Sequence, residues 1–403
     1  MLPSERRSSS SLATIYAARV LGLFLVLPVF ALEAARYPGG DDPALIGLAM
    51  GIFGLTQGLL QIPFGLASDR FGRKRVIITG LLIFAAGSFI ASAAPTLGWL
   101  IAGRAIQGAG AISAAVTALL ADQTRDEVRT KAMALVGGSI GLMFAVSLVA
   151  APLLAAHIGL GGLFALTGGL GLSCIGIVVW WTPAEPLIHA NMRRGNLADV
   201  LNHADLLRLD VGVFVLHAVQ LAMWVAIPGL LVGAGLATSD HWHVYLPVVL
   251  ASFVVMGATL FPAERRGLLR EIFLASVALI ALVQIALIVM AKQPPLLGLA
   301  LVLFVYFCGF NVLESIQPSM ASRIAPAQAR GAAMGVYNTL QSLGFFTGGA
   351  VGGWLLKNVG STGVFAACAV LMLGWLVVAW PMRAPPPRVV SPAQILADEA
   401  QAA

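Results

Sequence analysis

Charge is what this sequence has least of. Only 10% of its 403 residues are Asp, Glu, Lys or Arg, against about a quarter in an ordinary soluble domain. So few charges cannot clothe a soluble fold of this size. Cysteine is scarce as well: Cys174, Cys308 and Cys368 are the only three, each inside an apolar run, so no disulfide framework is implied. No phosphate-binding glycine loop ending in Lys-Ser or Lys-Thr occurs, which argues against ATP as an energy source, and no Cys/His cluster has the spacing of metal ligands. No enzyme motif, no metal and no cofactor is expected. The ten-residue alternation of an outer-membrane barrel is missing too, which leaves helices as the way across a bilayer.

Apolar residues fill the space that charge leaves. They make up 59% of the chain and the mean hydropathy is +0.91, more than a soluble fold could bury, so lipid is part of the solvent. Crossing the hydrocarbon core takes about 20 apolar residues, and twelve such runs are present. They fall at 12–35, 44–67, 76–94, 97–120, 131–156, 160–181, 209–232, 242–262, 271–291, 296–321, 331–356 and 360–381. The fold class is therefore an all-α membrane protein with twelve transmembrane helices. The first run is too long for a signal-peptide core and eleven more follow it, so it is expected to stay in the mature chain.

The net charge of +6 raises the question of nucleic acid. Of the 24 Lys and Arg, Arg19 and Arg104 fall well inside runs, and Arg36, Lys292 and Lys357 fall in odd-numbered loops; the rest lie at the termini, in even-numbered loops or, for Lys131, at the run end that borders one. That asymmetry orients a membrane protein with both termini in the cytoplasm. The basic residues thus point to a bilayer and not to nucleic acid. A bacterial inner membrane is the expected location.

The longest polar connection, residues 182–210, follows the sixth run and divides the chain in two. Residues 1–182 are read as one six-helix bundle, 183–208 as a cytoplasmic linker, 209–382 as a second bundle and 383–403 as a disordered cytoplasmic tail. The halves echo each other: Asp69-Arg70-Phe71-Gly72 aligns with Glu264-Arg265-Arg266-Gly267, at an offset of 195 residues close to half the chain. Parallel repeats of this kind build transporters whose halves rock about a central site.

The first copy of the repeat is the charged stretch "GLASDRFGRKR", residues 65–75. Topology alone accounts for Arg70, Arg73, Lys74 and Arg75, but not for an acid at the helix end or for glycines at 65 and 72. The spacing Gly-x-x-x-Asp-Arg-x-Gly-Arg-Lys-Arg resembles the loop signature of the major facilitator superfamily. "RAIQGAGA" in the fourth run is similar to a second signature, and "LGLFLVLPVF" in the first to a motif of the drug:proton antiporter branch, with Ala31 in place of its second proline. "FNVLES" and "ARGAAMGVYNTLQSLG" resemble the YajR-type branch, without that branch's extra C-terminal cytosolic domain. The resemblance implies two pseudo-symmetric bundles working by alternating access. It also implies a conformational latch of Gly65, Asp69, Arg70, Gly72, Arg73 and Asp122, with Asp69 facing the start of the eleventh helix near Arg330. A carboxylate at a helix N-terminus contributes up to about 2 kcal/mol when partly buried, and Gly65 allows close approach.

An ionisable group inside a run costs about 2.5–3.5 kcal/mol on insertion scales. Glu314 in the tenth run is read as the proton carrier, because a poorly solvated carboxylate can load and release a proton near neutral pH; a packing hydrogen bond is the alternative. Arg104 either tunes a nearby acid in proton coupling or holds the fourth helix to its neighbours. Arg19 is expected to snorkel and Glu33 to be interfacial. Candidates for the substrate cavity are Gln57, Gln61, Gln107, His217, Gln220, Trp224, Tyr306, Asn311, Asn338 and Gln341. The bland reading of these is hydrogen bonding between helices.

The expected function is secondary active transport, as proton-driven efflux of a small amphipathic compound by a monomer whose partners are substrate, protons and lipid. Alanines flank Pro152 where antiporters of the family often carry glycines, which leaves a symporter or facilitator for a polar nutrient or siderophore as the alternative. A transport-inactive receptor or scaffold is the reading from another class.

Overall fold

The computed structural model describes residues 1–185, 200–292, 295–325 and 329–382, and within them every regular element is helical. In chain order the helices are α1 Pro3–Phe24, α2 Leu27–Ala34, α3 Pro43–Phe71, α4 Arg73–Ser92, α5 Leu97–Ala109 and α6 Ser113–Asp122. They continue with α7 Asp126–Gly176, α8 Ala204–Gly233, α9 Trp242–Arg265, α10 Leu269–Met290, α11 Leu296–Ile324 and α12 Arg330–Ala379. Ten of the resulting segments are long and apolar enough to cross a membrane. Two of these are far too long for a single crossing. Helices α7 and α12 run for 51 and 50 residues, more than twice the length that spans about 30 Å of hydrocarbon. Each folds back at a glycine with positive φ, Gly159 (φ 64°) and Gly360 (φ 78°), a conformation that disfavours any residue with a Cβ. The first and second arms are therefore 126–158 and 160–176 in α7, and 330–359 and 361–379 in α12.

Local chemistry sets the other boundaries. Asp42 caps α3 by accepting the Ala44 N–H at 2.8 Å, with Pro43 at the first helical position. Gly72 (φ 98°) ends α3 and turns the chain directly into α4. Pro28 has no N–H to give to the Phe24 carbonyl, so α1 stops there and α2 resumes after a short break. The first crossing begins at Pro3, nine residues earlier than the apolar run at 12 suggests. Helix α8 begins at Ala204, so the polar connection ends before residue 208 and Asp210 lies inside a helix.

One end of the bundle carries the Arg70–Arg75 loop and is called the basic face; the other carries Asp42 and Lys357. Towards the far face α3 and the first arm of α12 are in backbone contact. A Cβ added at Gly47 would sit 2.2 Å from the Gly349 carbonyl oxygen, at Gly51 2.6 Å from that of Phe346, and at Gly54 2.4 Å from that of Ser342. Small residues are what allow such approach. Towards the basic face the contact ends: Gly65 would meet only Ala114 of α6 at 3.6 Å, and Gly331 and Gly335 would meet nothing within 4 Å. Apolar packing follows the same division. A large core joins Phe30, Ala49, Phe144 and Leu148 to Val219, Phe307 and Phe310, across both halves of the chain. A separate cluster of Leu12, Ile15, Val76, Leu119, Cys174 and Val178 stays within the first half. The halves are thus joined at the far face and part towards the basic one.

Candidate functional site

The basic-face loop is built around Arg73. The α3–α4 turn at Gly72 places its guanidinium between three oxygens: it is ion-paired with Asp69, lies 3.1 Å from Asp122 at the end of α6 and donates to Ser68 Oγ at 2.7 Å. Arg70 is exposed and stacks over Phe71 at 5.4 Å. Asp69, Arg73 and Asp122 are thereby brought together. Arg330 opens α12, and its side chain lies outside the described residues. A residue that sequence reasoning missed completes the loop. Glu185 accepts the Arg73 and Lys74 backbone N–H groups at 2.9 and 2.6 Å, placing its charge on the N-terminus of α4, where the helix dipole favours an anion. It fits because Gly72 has no side chain; a Cβ there would lie 3.3 Å from Glu185 Oε2.

The interior of the first half is organised by two arginines. Arg19 is 5% exposed and does not snorkel, which corrects the expectation from its position. The break between α5 and α6 frees the Gly110 carbonyl, to which Arg19 donates at 3.2 Å, along with Ser113 Oγ at 3.0 Å and Gln57 Oε1 at 2.9 Å. Gln57 passes the chain on to Ser342 Oγ of α12 at 3.0 Å, a hydrogen bond from one half to the other. Arg104 is 1% exposed and donates to the Ala49 and Met50 carbonyls at 3.3 and 3.1 Å and to Gln107 at 2.7 Å. The Phe53 and Phe30 rings lie 5.0 and 5.8 Å from its guanidinium carbon. Its hydrogen bonds go to carbonyls and an amide, the arrangement that fastens a helix to its neighbours. Gln107 itself donates to Ser88 and so belongs to this packing network and not to a cavity.

The second half holds an acid–imidazole pair. His217 of α8 lies with Nδ1 2.8 Å from the Val213 carbonyl, a contact that needs a proton on Nδ1. Its Nε2 then faces the Gln341 amide nitrogen of α12 at 2.8 Å and Glu314 Oε2 of α11 at 3.3 Å. A neutral ring accepts from the amide and has nothing to give the carboxylate, and Glu314 Oε2 is indeed without a hydrogen bond among the described residues. A proton on Nε2 would reverse both contacts. The ring is held by Phe345 and Phe310, at 4.8 and 6.3 Å between centroids. The Glu314 side chain is 34% exposed, so it is open to solvent as well as to the imidazole.

The remaining cavity candidates divide. Asn311 donates to Ser252 Oγ of α9 at 2.9 Å, and Trp224 packs edge-on against Tyr245 at 5.4 Å, both contacts within the second half. Gln220, Trp224 and Tyr306 line a void of about 10 Å³ between α8 and α11, about the size that holds one water. Gln61 is buried with both amide atoms unpartnered among the described residues. Asn338 is half-buried on the same arm as Gln341.

At the far face Lys357 Nζ lies 2.6 Å from Asp42 Oδ2. The ammonium, with the Ala44 N–H, holds the Asp42 carboxyl below the usual carboxylate range.

A bundle of apolar helices, joined at one face and parted at the other over buried polar groups, defines a solute transporter of the membrane. The chain matches the family model of the Major Facilitator Superfamily over residues 12–346 and 245–399, and it belongs to that family. It is 41% identical to the inner membrane transport protein YajR of Escherichia coli, over 99% of this chain and 89% of that protein. It is 26% identical to the multidrug resistance protein MdtL of Klebsiella pneumoniae, over 86% of this chain and 93% of the other. Its fold matches the crystal structure of a D-xylose-proton symporter with a TM-score of 0.75 at 14% identity, covering 95% of this chain and 99% of the other. The chain is a multi-pass membrane transporter and not an enzyme.

Proposed function

We propose that this protein is a proton-driven antiporter of the inner membrane, which exports a small amphipathic compound by alternating access. Counting each arm of α7 and α12 separately gives twelve crossings, six in each half, with the basic face and both termini in the cytoplasm. The parted basic face is then the inward-open state. When it closes, Asp69 meets the first turn of α12 and the latch forms.

The observation that carries proton coupling is Glu314 Oε2 at 3.3 Å from His217 Nε2. Protonation of the pair turns the imidazole from acceptor to donor, which displaces the Gln341 amide. Gln341 belongs to the arm of α12 that packs on α3, so the proton acts on the helix joining the two halves. The likeness to a multidrug resistance protein supports efflux.

The test uses the purified protein in liposomes with an imposed pH gradient and a panel of amphipathic fluorescent dyes. Glu314→Gln is expected to abolish gradient-driven dye movement while leaving dye equilibration intact. Undiminished gradient-driven movement would remove Glu314 from the mechanism. Symport is the second reading, favoured by Ala151 beside Pro152 in α7; dye and protons moving in the same direction would establish it.

A further inference from the structure

A cavity of about 460 Å³ lies at the far face between the two halves, within the range of small-molecule sites, about 300–1,000 Å³. Its first wall comes from Ala35 after α2, Asp41 in the turn before α3 and Ile46 of α3. Its second comes from Val225 and Gly229 of α8 and Ser361 at the start of the second arm of α12. Ile46 and Val225 are buried, which gives the cavity apolar sides. Gly229 leaves room on α8, since a Cβ there would meet nothing within 4 Å. Gly229 also lies twelve residues, about 18 Å, beyond His217 along α8. The cavity is therefore separate from the central acid–imidazole pair. Charge then decides what fits it. Asp41 is exposed and takes part in no ion pair or hydrogen bond among the described residues. The cations nearest in the chain are committed to other acids, Arg36 to Glu33 at 3.0 Å and Lys357 to Asp42 at 2.6 Å. An anion would be repelled by the carboxylate that remains, and a bare metal ion would find too few oxygens.

We infer that this cavity is a second ligand site, which takes an organic cation with an apolar body, its charge beside Asp41 and its body between α3 and α8. The inference rests on the far-face architecture and stands whether or not transport is coupled to protons. Because the walls come from both halves, the site is whole only while the halves are joined at this face. Occupancy and joining therefore favour each other, and reciprocally so. A cation bound here holds the basic face parted and slows the cycle.

The probe is tetraphenylphosphonium, with tetraphenylborate as the same shape in the opposite charge. Full-length protein in lipid nanodiscs carries Ala35→Cys or Gly229→Cys, one reporter on each wall, and the reaction of the new thiol with a water-soluble maleimide is timed. The native cysteines are buried and stay silent. Tetraphenylphosphonium is expected to slow both reactions with one half-maximal concentration, and tetraphenylborate to slow neither. Asp41→Asn should raise that concentration roughly two- to fivefold, the range for an exposed charge pair. Gly349→Ala, whose Cβ would lie 2.6 Å from the Gly47 carbonyl oxygen and strain the joined face, should raise it as well. Glu314→Gln should leave it unchanged. Equal protection by tetraphenylborate overturns the inference, as does protection of one wall only or protection that Asp41→Asn leaves untouched. An unchanged concentration in Gly349→Ala would sever the site from closure, and loss of protection in Glu314→Gln would move the cation to the central pair. None of these readouts needs a pH gradient, so the antiport reading can fail while the site stands.

Discussion

Lys357, in the last turns of the first arm of α12, forms an ion pair at 2.6 Å with Asp42, the residue that caps α3. The pair ties the two halves together at the face where they touch. It sits at the far end of the two helices whose basic-face ends lie near Asp69 and Arg330. Asp42→Asn should weaken the far-face closure. Spin labels on Leu45→Cys and Val359→Cys, both exposed positions, would report a larger far-apart population by pulsed electron paramagnetic resonance. The native cysteines are buried and should not be labelled.

Acid should act as that substitution does. Because Lys357 and the Ala44 N–H lower the Asp42 carboxyl, the contribution of the pair is fully present above the ordinary carboxylate pKa, about 4. It is lost as pH falls through the lowered folded value. The same spin-label distances should lengthen only at the acid end of a titration in the wild type, and no acid-dependent change should remain in Asp42→Asn.

The glycine contact predicts a sharper effect. Gly349→Ala places a Cβ 2.6 Å from the Gly47 carbonyl oxygen, backbone that cannot rotate away, and overpacking of this kind costs about 1–3 kcal/mol. The far-face-closed population should fall by roughly five- to 150-fold relative to the parted one. Gly335→Ala meets open space and should leave the distribution unchanged; an equal response to both would show that the contact does not set the balance.

Arg104→Lys tests whether that arginine fastens helices or couples protons. Lysine cannot reproduce the forked contacts to Ala49, Met50 and Gln107, and loss of a buried, hydrogen-bonded arginine should cost about 2–4 kcal/mol. The thermal unfolding midpoint in detergent should drop while the pH profile of the residual transport keeps its shape. A displaced profile would return Arg104 to the proton path.

Glu185 offers a local measurement. Removing its carboxylate with Glu185→Ala strips two N–H groups at the start of α4 of their acceptor, at a cost of about 1 kcal/mol. Amide exchange over residues 73–76 should accelerate roughly fivefold, with protection at the far end of α4 unaltered.

The sequence by itself determined the helical membrane fold, because twelve apolar runs in a chain so poor in charge have no other way to satisfy their backbone in lipid. The Asp69–Arg73–Asp122 cluster was implied only by the loop's resemblance to a family signature; the contacts themselves come from the α3–α4 turn and the end of α6. Arg19 escaped the sequence: a broken fourth crossing frees a carbonyl for its guanidinium, and a break of that kind leaves no mark in an apolar pattern. Asp210 was hidden by a helix that starts inside a polar connection. Asp42 with Lys357, and His217 with Glu314 and Gln341, are pairings between residues about 315 and 97–124 positions apart. Only the tertiary structure decided them, because which polar groups meet in lipid depends on helix rotation and on the closeness that glycines permit, and neither is written in any local stretch of residues.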